Sequence, residues 1–364
     1  MKNNSSTSSY TFIGLMSGTS LDGLDLVCCT IEQQNDVYSY TIIASKEVPY
    51  TPEWKKKLST APGLSAIELL HLHNEYGTWL GEQTKLFIHE KDLKIDAVSS
   101  HGHTVHHLPD SGLTFQLGSG QHIANACQHR VICDFRTLDV ALCGQGAPLV
   151  PIGDELLFST YNFCLNLGGI ANVSFKQNEK RIAYDIGIAN MLLNYLSEKQ
   201  GEAYDQAGES AKSGQINQTL LEQLNKIEYY KKNFPKSTGY EWFAAEIIPL
   251  IEQTKDSIPN LLHTSVHHIA DQIAAELLRH QTKKTSTVLV TGGGAFNTFL
   301  IDTLQKKAGH DIRLKVPNNE LITCKEALVF ALMGMRRLEG KVNCLRSVTG
   351  AKRDSCSGVI YQPA

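Results

Sequence analysis

Three small-residue turns and one aspartate are the parts of this sequence whose types and spacing suit chemistry. The first turn is Gly18-Thr19-Ser20-Leu21-Asp22-Gly23, continued by Leu24 and Asp25. The second holds Gly168 and Gly169 with Asn172 beyond, and the third is Gly292-Gly293-Gly294, followed by Asn297. Glycines let a ligand approach the main chain, and backbone N–H groups with hydroxyls can hold phosphate oxygens. The G-x-x-x-x-G-K-[ST] string of a Walker-type loop is absent, so any phosphate here is gripped without that lysine. Asp22 and Asp25 would repel a bare phosphate but tolerate one that arrives with a divalent metal. The plain alternative is an Asp-Gly hairpin turn holding nothing, because Gly, Ser and Asp are ordinary turn residues. As an ordered set, the three turns describe a nucleotide, with phosphates between the two hairpins and the nucleoside against Gly292 to Gly294.

Asp185, in Tyr184-Asp-Ile-Gly-Ile-Ala-Asn190, is expected at a strand end with a helix N-terminus nearby. A carboxylate there can take a proton from an attacking hydroxyl or water; a capping or solvated aspartate is the alternative. His101, His103, His106 and His107 invite a zinc reading. No matching Cys or Asp cluster and no H-E-x-x-H accompanies them, so hydrogen bonding to a substrate by His101, or a surface location, is the better account.

The elements that must position these residues follow from the apolar pattern. Tyr10 to Met16 and Leu24 to Glu32 read as strands joined by a tight turn, which makes the first motif a hairpin tip. Asn162 to Lys176 repeats the design, suggesting two related domains that each begin with a β-hairpin; two unrelated hairpins are the alternative. Ile95 to Ser100 and Arg130 to Cys133 read as further strands, ending in His101-Gly102-His103 and Asp134-Phe135-Arg136, where ligands of open α/β sheets gather. Val266, Ile269, Ile273 and Leu277 mark one side of a helix from about Ser265 to His280. Asn297 is placed to cap a helix that Gly309 ends, and a last helix runs from Lys325 to Leu338.

A chain of 364 residues, 42% hydrophobic and 20% charged, reads as a globular protein of two ordinary domains. The formal net charge of -3 gives no basic surplus for nucleic acid or an anionic membrane. Nine scattered cysteines without a C-x-x-C pair fit free thiols in a reducing cytoplasm. No apolar run long enough for a membrane span occurs, so the expected location is cytoplasmic, with a homodimer left open.

Together these segments closely resemble the anhydro-N-acetylmuramic acid kinases of the actin, hexokinase and sugar-kinase superfamily. The resemblance is carried by Gly14 to Asp25, Ser100 to Pro109, Asp134 to Arg136, Gly144 to Pro151, Asn166 to Val173, Pro235 to Gly239, Gly292 to Asn297, Lys325 to Ala327 and Ser347 to Ala351. It implies an α/β fold of two actin-like (ribonuclease H-like) domains flanking a central cleft, expected at residues 1–160 and 161–364, with the last helix packing back on the first domain. It also implies ATP and Mg2+, an anhydro amino sugar as substrate, and hydrolytic opening of the anhydro bridge with phosphorylation of the freed six-oxygen. By the resemblance, Asp185 is the catalytic base and Gly18 to Asp25 with Gly168 and Gly169 hold the phosphates, magnesium lying near Asp22. Gly292, Gly293, Gly294 and Asn297 face adenosine, while His101, Gly102, Arg136 and Glu326 line the sugar pocket. The Arg136 fork suits a lactyl carboxylate.

Two departures stand out. The family commonly reads D-T-G-P-G-N where this chain has Asp185-Ile-Gly-Ile-Ala-Asn190, and H-G-Q-T where it has His101-Gly-His-Thr104. Loss of a hydroxyl, a proline and a glycine is expected to change hydrogen bonding and backbone freedom around Asp185. An actin-like ATP-binding regulator, or a kinase for a related amino sugar, is the alternative function.

Overall fold

Alternating and β-branched apolar runs, broken by small-residue turns, pair into two mixed sheets. The computed structural model describes residues 7–18 and 21–364; Thr19 and Ser20, both expected in the first phosphate turn, lie outside the described residues. The chain divides into two compact units, one of residues up to Leu157 together with Cys324–Ala364, the other Phe158–Thr323.

In the first unit, β1 (Thr7–Ser17), β2 (Gly23–Gln34) and β3 (Val37–Pro49) form an antiparallel meander. β4 (Ala97–Ser100) pairs parallel to β1, β5 (His103–Leu108) and β6 (Leu113–Leu117) make a separate hairpin, and β7 (Val131–Cys133) pairs parallel to β4. In the second unit, β8 (Phe163–Leu167), β9 (Ile170–Gln177) and β10 (Lys180–Ile188) form another meander, with β11 (Ser286–Thr291) parallel to β8 and β12 (Ile312–Lys315) parallel to β11. β13 (Val359–Tyr361) returns to the first sheet, antiparallel to β7.

The orders β3-β2-β1-β4-β7 and β10-β9-β8-β11-β12 are the same arrangement: three antiparallel strands in sequence, then two parallel ones. Parallel neighbours need crossovers, and helices supply them, such as Ala66–Glu90 between β3 and β4 and Thr298–Ala308 between β11 and β12. The topology therefore repeats within one chain, as expected of two actin-like domains.

Each sheet buries its apolar side chains under helices. Ile13, Leu15, Leu24, Leu26 and Cys28 pack with Tyr76, Leu80 and Phe87 of Ala66–Glu90, a helix opened by a capping box between Ser65 and Glu68. Cys28 and its neighbour Cys29, at an irregularity in the β2–β3 register, are both fully buried, and all nine cysteines are free. In the second unit Val266, Ile269, Ile273 and Leu277 join the core as their spacing predicts. Their helix, Ile258–Arg279, begins earlier than the apolar stripe indicated, because Ser257 accepts from Asn260 N and a proline fits the first turn. The last long helix likewise starts at Asn319 rather than Lys325, with Asn318 Oδ1 accepting from Leu321 N at 3.0 Å.

That helix lies hard against β1. A Cβ at Gly14 would sit 1.9 Å from the carbonyl oxygen of Ala327, so only glycine lets the two backbones meet. Gly14→Ala is expected to lower stability by about 1–3 kcal/mol through overpacking. Gly63→Ala, where an added Cβ meets nothing within 4 Å, is the control; equal urea midpoints for both variants would contradict this packing.

Candidate active site

β1 and β2 end at Ser17 and Gly23, so the first motif is the tip of a hairpin. Leu21 adopts φ +60° there, a left-handed conformation that is rare for a bulky side chain. Asp22 O accepts from Tyr50 N at 3.2 Å, tying the tip to the end of β3. Asp25 stands opposite Glu47 on β3, and burial, with Glu47, Glu326 and Asp22 adding like charge, pushes its carboxyl up to about 7. A desolvated carboxylate among like charges favours a nearby cation, although among the described residues no three Asp, Glu, His or Cys side chains converge as a metal-holding group. Mg2+ commonly takes only one or two protein carboxylates and completes its shell with phosphate oxygens and water, which this set of hard oxygens fits.

His101, Gly102, Arg136 and Glu326, expected on the sugar side, lie in the same unit. Arg136 donates through Nε (3.0 Å) and a terminal nitrogen (2.8 Å) to His101 Nε2, and through its other terminal nitrogen to Gly146 O at 2.6 Å. Because arginine can only donate, His101 Nε2 accepts, and the ring proton sits on Nδ1, 2.8 Å from Gly102 O. Burial and the Arg136 charge drive His101 well below the ordinary imidazole range, so it stays neutral. Burial lowers Arg136 to about 10, with Glu326 opposing, and it remains a cation at neutral pH. Three of its five N–H groups are committed, leaving one on each terminal nitrogen for an anion. Burial raises the Glu326 carboxyl against the pull of Lys325 and Arg136. A cavity of about 160 Å³ opens beside His101 and Gly102, walled by Phe115, Gln116, Asp134 and Tyr361 among others.

Three of the histidines that suggested zinc, His101, His103 and His107, have separate partners. His103 Nδ1 lies 3.1 Å from Ser17 Oγ, and His107 Nδ1 lies 3.1 Å from Thr114 Oγ1. Ser17 also accepts from Tyr50 OH at 2.7 Å, which is 2.6 Å from Tyr76 OH. The departure at His103 thus reaches the stem of the first hairpin, and burial lowers that imidazole to about 4.

In the second unit, Gly168 and Gly169 turn their carbonyls to the start of the helix Asn190–Glu198, accepting from Asn190 N at 3.1 Å and Ala189 N at 2.8 Å. A planar trans peptide points N–H opposite to C=O, so the amides of Gly169 and Ile170 face away from that helix. Added Cβ atoms at Gly168 and Gly169 would meet nothing closer than 3.5 Å, which leaves room for a ligand. Gly292 differs: it has φ +82°, and its Cβ would stand 2.5 Å from Asn166 Oδ1, so folding alone demands glycine. Gly294 is similarly crowded by Leu167, whereas Gly293 is open. Asn297 caps its helix as expected, accepting from Leu300 N at 2.9 Å.

Asp185 sits three residues before the end of β10, at a bulge between Asp185 and Gly187. Its N–H donates to Lys236 O at 3.2 Å, its carbonyl accepts from Tyr229 OH at 2.8 Å, and its Oδ2 accepts from Thr238 N at 3.1 Å. Burial raises the carboxyl, partly offset by the Thr238 N–H, which is the direction a general base needs. The replaced neighbours do not face this carboxylate: Ile186, Ile188 and Ala189 are all in the hydrophobic core. The Pro235 to Gly239 segment is conspicuous in the sequence, but nothing local showed that it would clasp Asp185.

The family model for anhydro-N-acetylmuramic acid kinase matches residues 10–363. The chain is 36% identical over 377 residues to the anhydro-N-acetylmuramic acid kinase of Aliivibrio fischeri, covering 96% of this chain and 98% of that protein. It is 35% identical over 379 residues to the protein of the same name from Sulfurimonas denitrificans, with 96% and 99% covered.

The Asp25 carboxyl makes stability depend on pH. Its folded pKa of about 7 lies above the unfolded value near 3.8, so the protonated form stabilises the fold at low pH and that contribution is lost as pH rises through 7. Without nucleotide or magnesium, Asp25→Asn is expected to gain in melting temperature relative to the parent between pH 4.5 and 7.5. A relative gain toward acid would show Asp25 ionised in the folded protein.

Proposed function

Because the chain belongs to the anhydro-N-acetylmuramic acid kinase family, we propose that it uses water and ATP to convert 1,6-anhydro-N-acetylmuramic acid into N-acetylmuramic acid 6-phosphate, a step of peptidoglycan recycling. The observation that carries the assignment of roles is Asp185, a half-buried carboxylate with a raised proton affinity, held through its backbone and one carboxylate oxygen. In this reading Asp185 takes a proton from water as the water oxygen bonds to the anomeric carbon. The bond from that carbon to the bridging oxygen breaks, and the freed oxygen bonds to the γ-phosphorus. The bond from phosphorus to the bridging β,γ-oxygen then breaks and ADP leaves.

Arg136, with one N–H left on each terminal nitrogen, is suited to the lactyl carboxylate, and neutral His101 fixes its orientation. Glu326 and Gly102 stand beside them as sugar-side residues. The hairpin from Gly18 to Asp25 and the amides at Gly168 and Gly169 are assigned to the phosphates, and Gly293 with its crowded neighbours Gly292 and Gly294 to the adenosine side. Asn297 supports that turn as a helix cap. Mg2+, held from Asp22 or Asp25 and the phosphates, would neutralise charge on the transferring group.

Asp185→Asn is expected to lower kcat by about 10²- to 10⁴-fold, with ADP and sugar 6-phosphate falling together and ATP affinity unchanged. The acidic limb of the parent's kcat/KM profile should lie above the ordinary aspartate range, since burial raises this carboxyl. Full turnover in the asparagine variant would remove Asp185 from the role of base.

A further inference from the structure

We infer that the Thr238 hydroxyl is the second hydrogen-bonding group for the nucleophilic water, working beside Asp185; this rests on the reading of Asp185 as the base. Thr238 N donates to Asp185 Oδ2 at 3.1 Å. The hydroxyl oxygen of the same residue is only three covalent bonds from that nitrogen, which keeps it in the neighbourhood of the carboxylate. It is buried and has no hydrogen-bond partner among the described residues. A buried hydroxyl left unpaired costs free energy, so a partner has to come from water or substrate, and the group next to it is the proposed base.

The segment that carries Thr238 is firmly held. Lys236 accepts from Asp185 N through its carbonyl, and its ammonium pairs with Glu276 at 3.1 Å, the two side chains 3% and 5% exposed. That ammonium lies over the rings of Tyr184 and Tyr229, 5.6 and 5.2 Å from their centroids. Tyr184 OH donates to Glu276 at 2.8 Å, and Tyr229 OH closes the set on Asp185 O. A buried ion pair breaks only at high cost, so the Lys236-to-Thr238 backbone keeps its register against β10.

Two acceptors in one neighbourhood would match the needs of an attacking water. One O–H points to Asp185 and is transferred; the other points to Thr238 Oγ1 and is kept, which leaves a lone pair free for the anomeric carbon. Thr238 neither gains nor loses a proton overall. The hydroxyl that the family commonly carries one residue after the aspartate is no substitute, because position 186 in this chain points into the core.

The test compares Thr238→Val and Thr238→Ser in the full-length enzyme, with the anhydro sugar and magnesium ATP. Valine keeps the shape and the backbone N–H but removes the hydroxyl; it is expected to lower kcat about 10- to 100-fold, with the ATP KM and the acidic limb of the pH profile unchanged. Serine should stay within about threefold of the parent, because it restores the hydrogen bond. Valine with parental kcat, or serine falling as far as valine, would overturn the inference. An inactive Asp185→Asn beside a fully active Thr238→Val would overturn this inference alone, whereas a fully active Asp185→Asn would remove the base and this inference with it.

Discussion

Much of the first unit depends on one contact between backbones, Gly14 of the central strand against Ala327 of the long C-terminal helix. The approach is too close for any side chain at position 14, so the helix is seated at a fixed depth on the sheet. Ser99 of β4 strengthens the seat by donating to Phe330 O. Consequences run straight into the site. Glu326 precedes the contact residue and bears electrostatically on Asp25 and Arg136, and the Phe330 ring packs 4.8 Å from that of His101. A hairpin stem, a half-buried arginine and a half-buried glutamate are thus brought together by a helix that arrives from the far end of the sequence.

The same low-dielectric surroundings decide the charges. Asp25, Glu326 and Asp185 are all pushed toward their protonated forms, first by burial. For a base the shift is useful, because proton affinity near the working pH gives the best compromise between availability and driving force. For Asp25 beside the first small-residue turn it has another meaning: a site that disfavours its own negative charge would gain from a bound cation. His101 shows the converse case, since burial and a cationic neighbour keep it neutral, and a neutral ring can accept the N–H bonds that orient Arg136.

The loop around Asp185 shows why a departure in a motif has to be judged in three dimensions. Ile186, Ile188 and Ala189 replace a hydroxyl, a proline and a glycine of the family pattern, and all three are core residues of the second sheet. Their change is one of packing volume. The groups that touch the carboxylate and backbone of Asp185 come instead from Tyr229, Lys236 and Thr238, separated from it by a run of short helices. By contrast, His103 looked like a sugar-side change and is bonded to Ser17 at the end of β1.

Local chemistry determined a good deal without coordinates. The small-residue turns had to interrupt strands, the alternation of Leu24, Leu26 and Cys28 had to present one face to a core, and the spacing of Val266, Ile269, Ile273 and Leu277 had to make a helical stripe. Asn297 and Gly309 had to cap and end a helix. Those features are legible because they depend on neighbours a few residues apart. Helix starts at Ile258 and Asn319 were less legible, since a capping serine with a first-turn proline in one and a capping asparagine in the other extend each helix beyond its apolar stripe. Which glycines are structural was decided only by the fold: Gly14 and Gly292 are held by atoms far away in sequence, while Gly168 and Gly169 remain open. Tertiary structure alone also chose the partners of Asp185, the proton position on His101 and the elevated Asp25 carboxyl. Each is set by burial and by groups tens to hundreds of residues distant, and no local pattern encodes a distance across the chain.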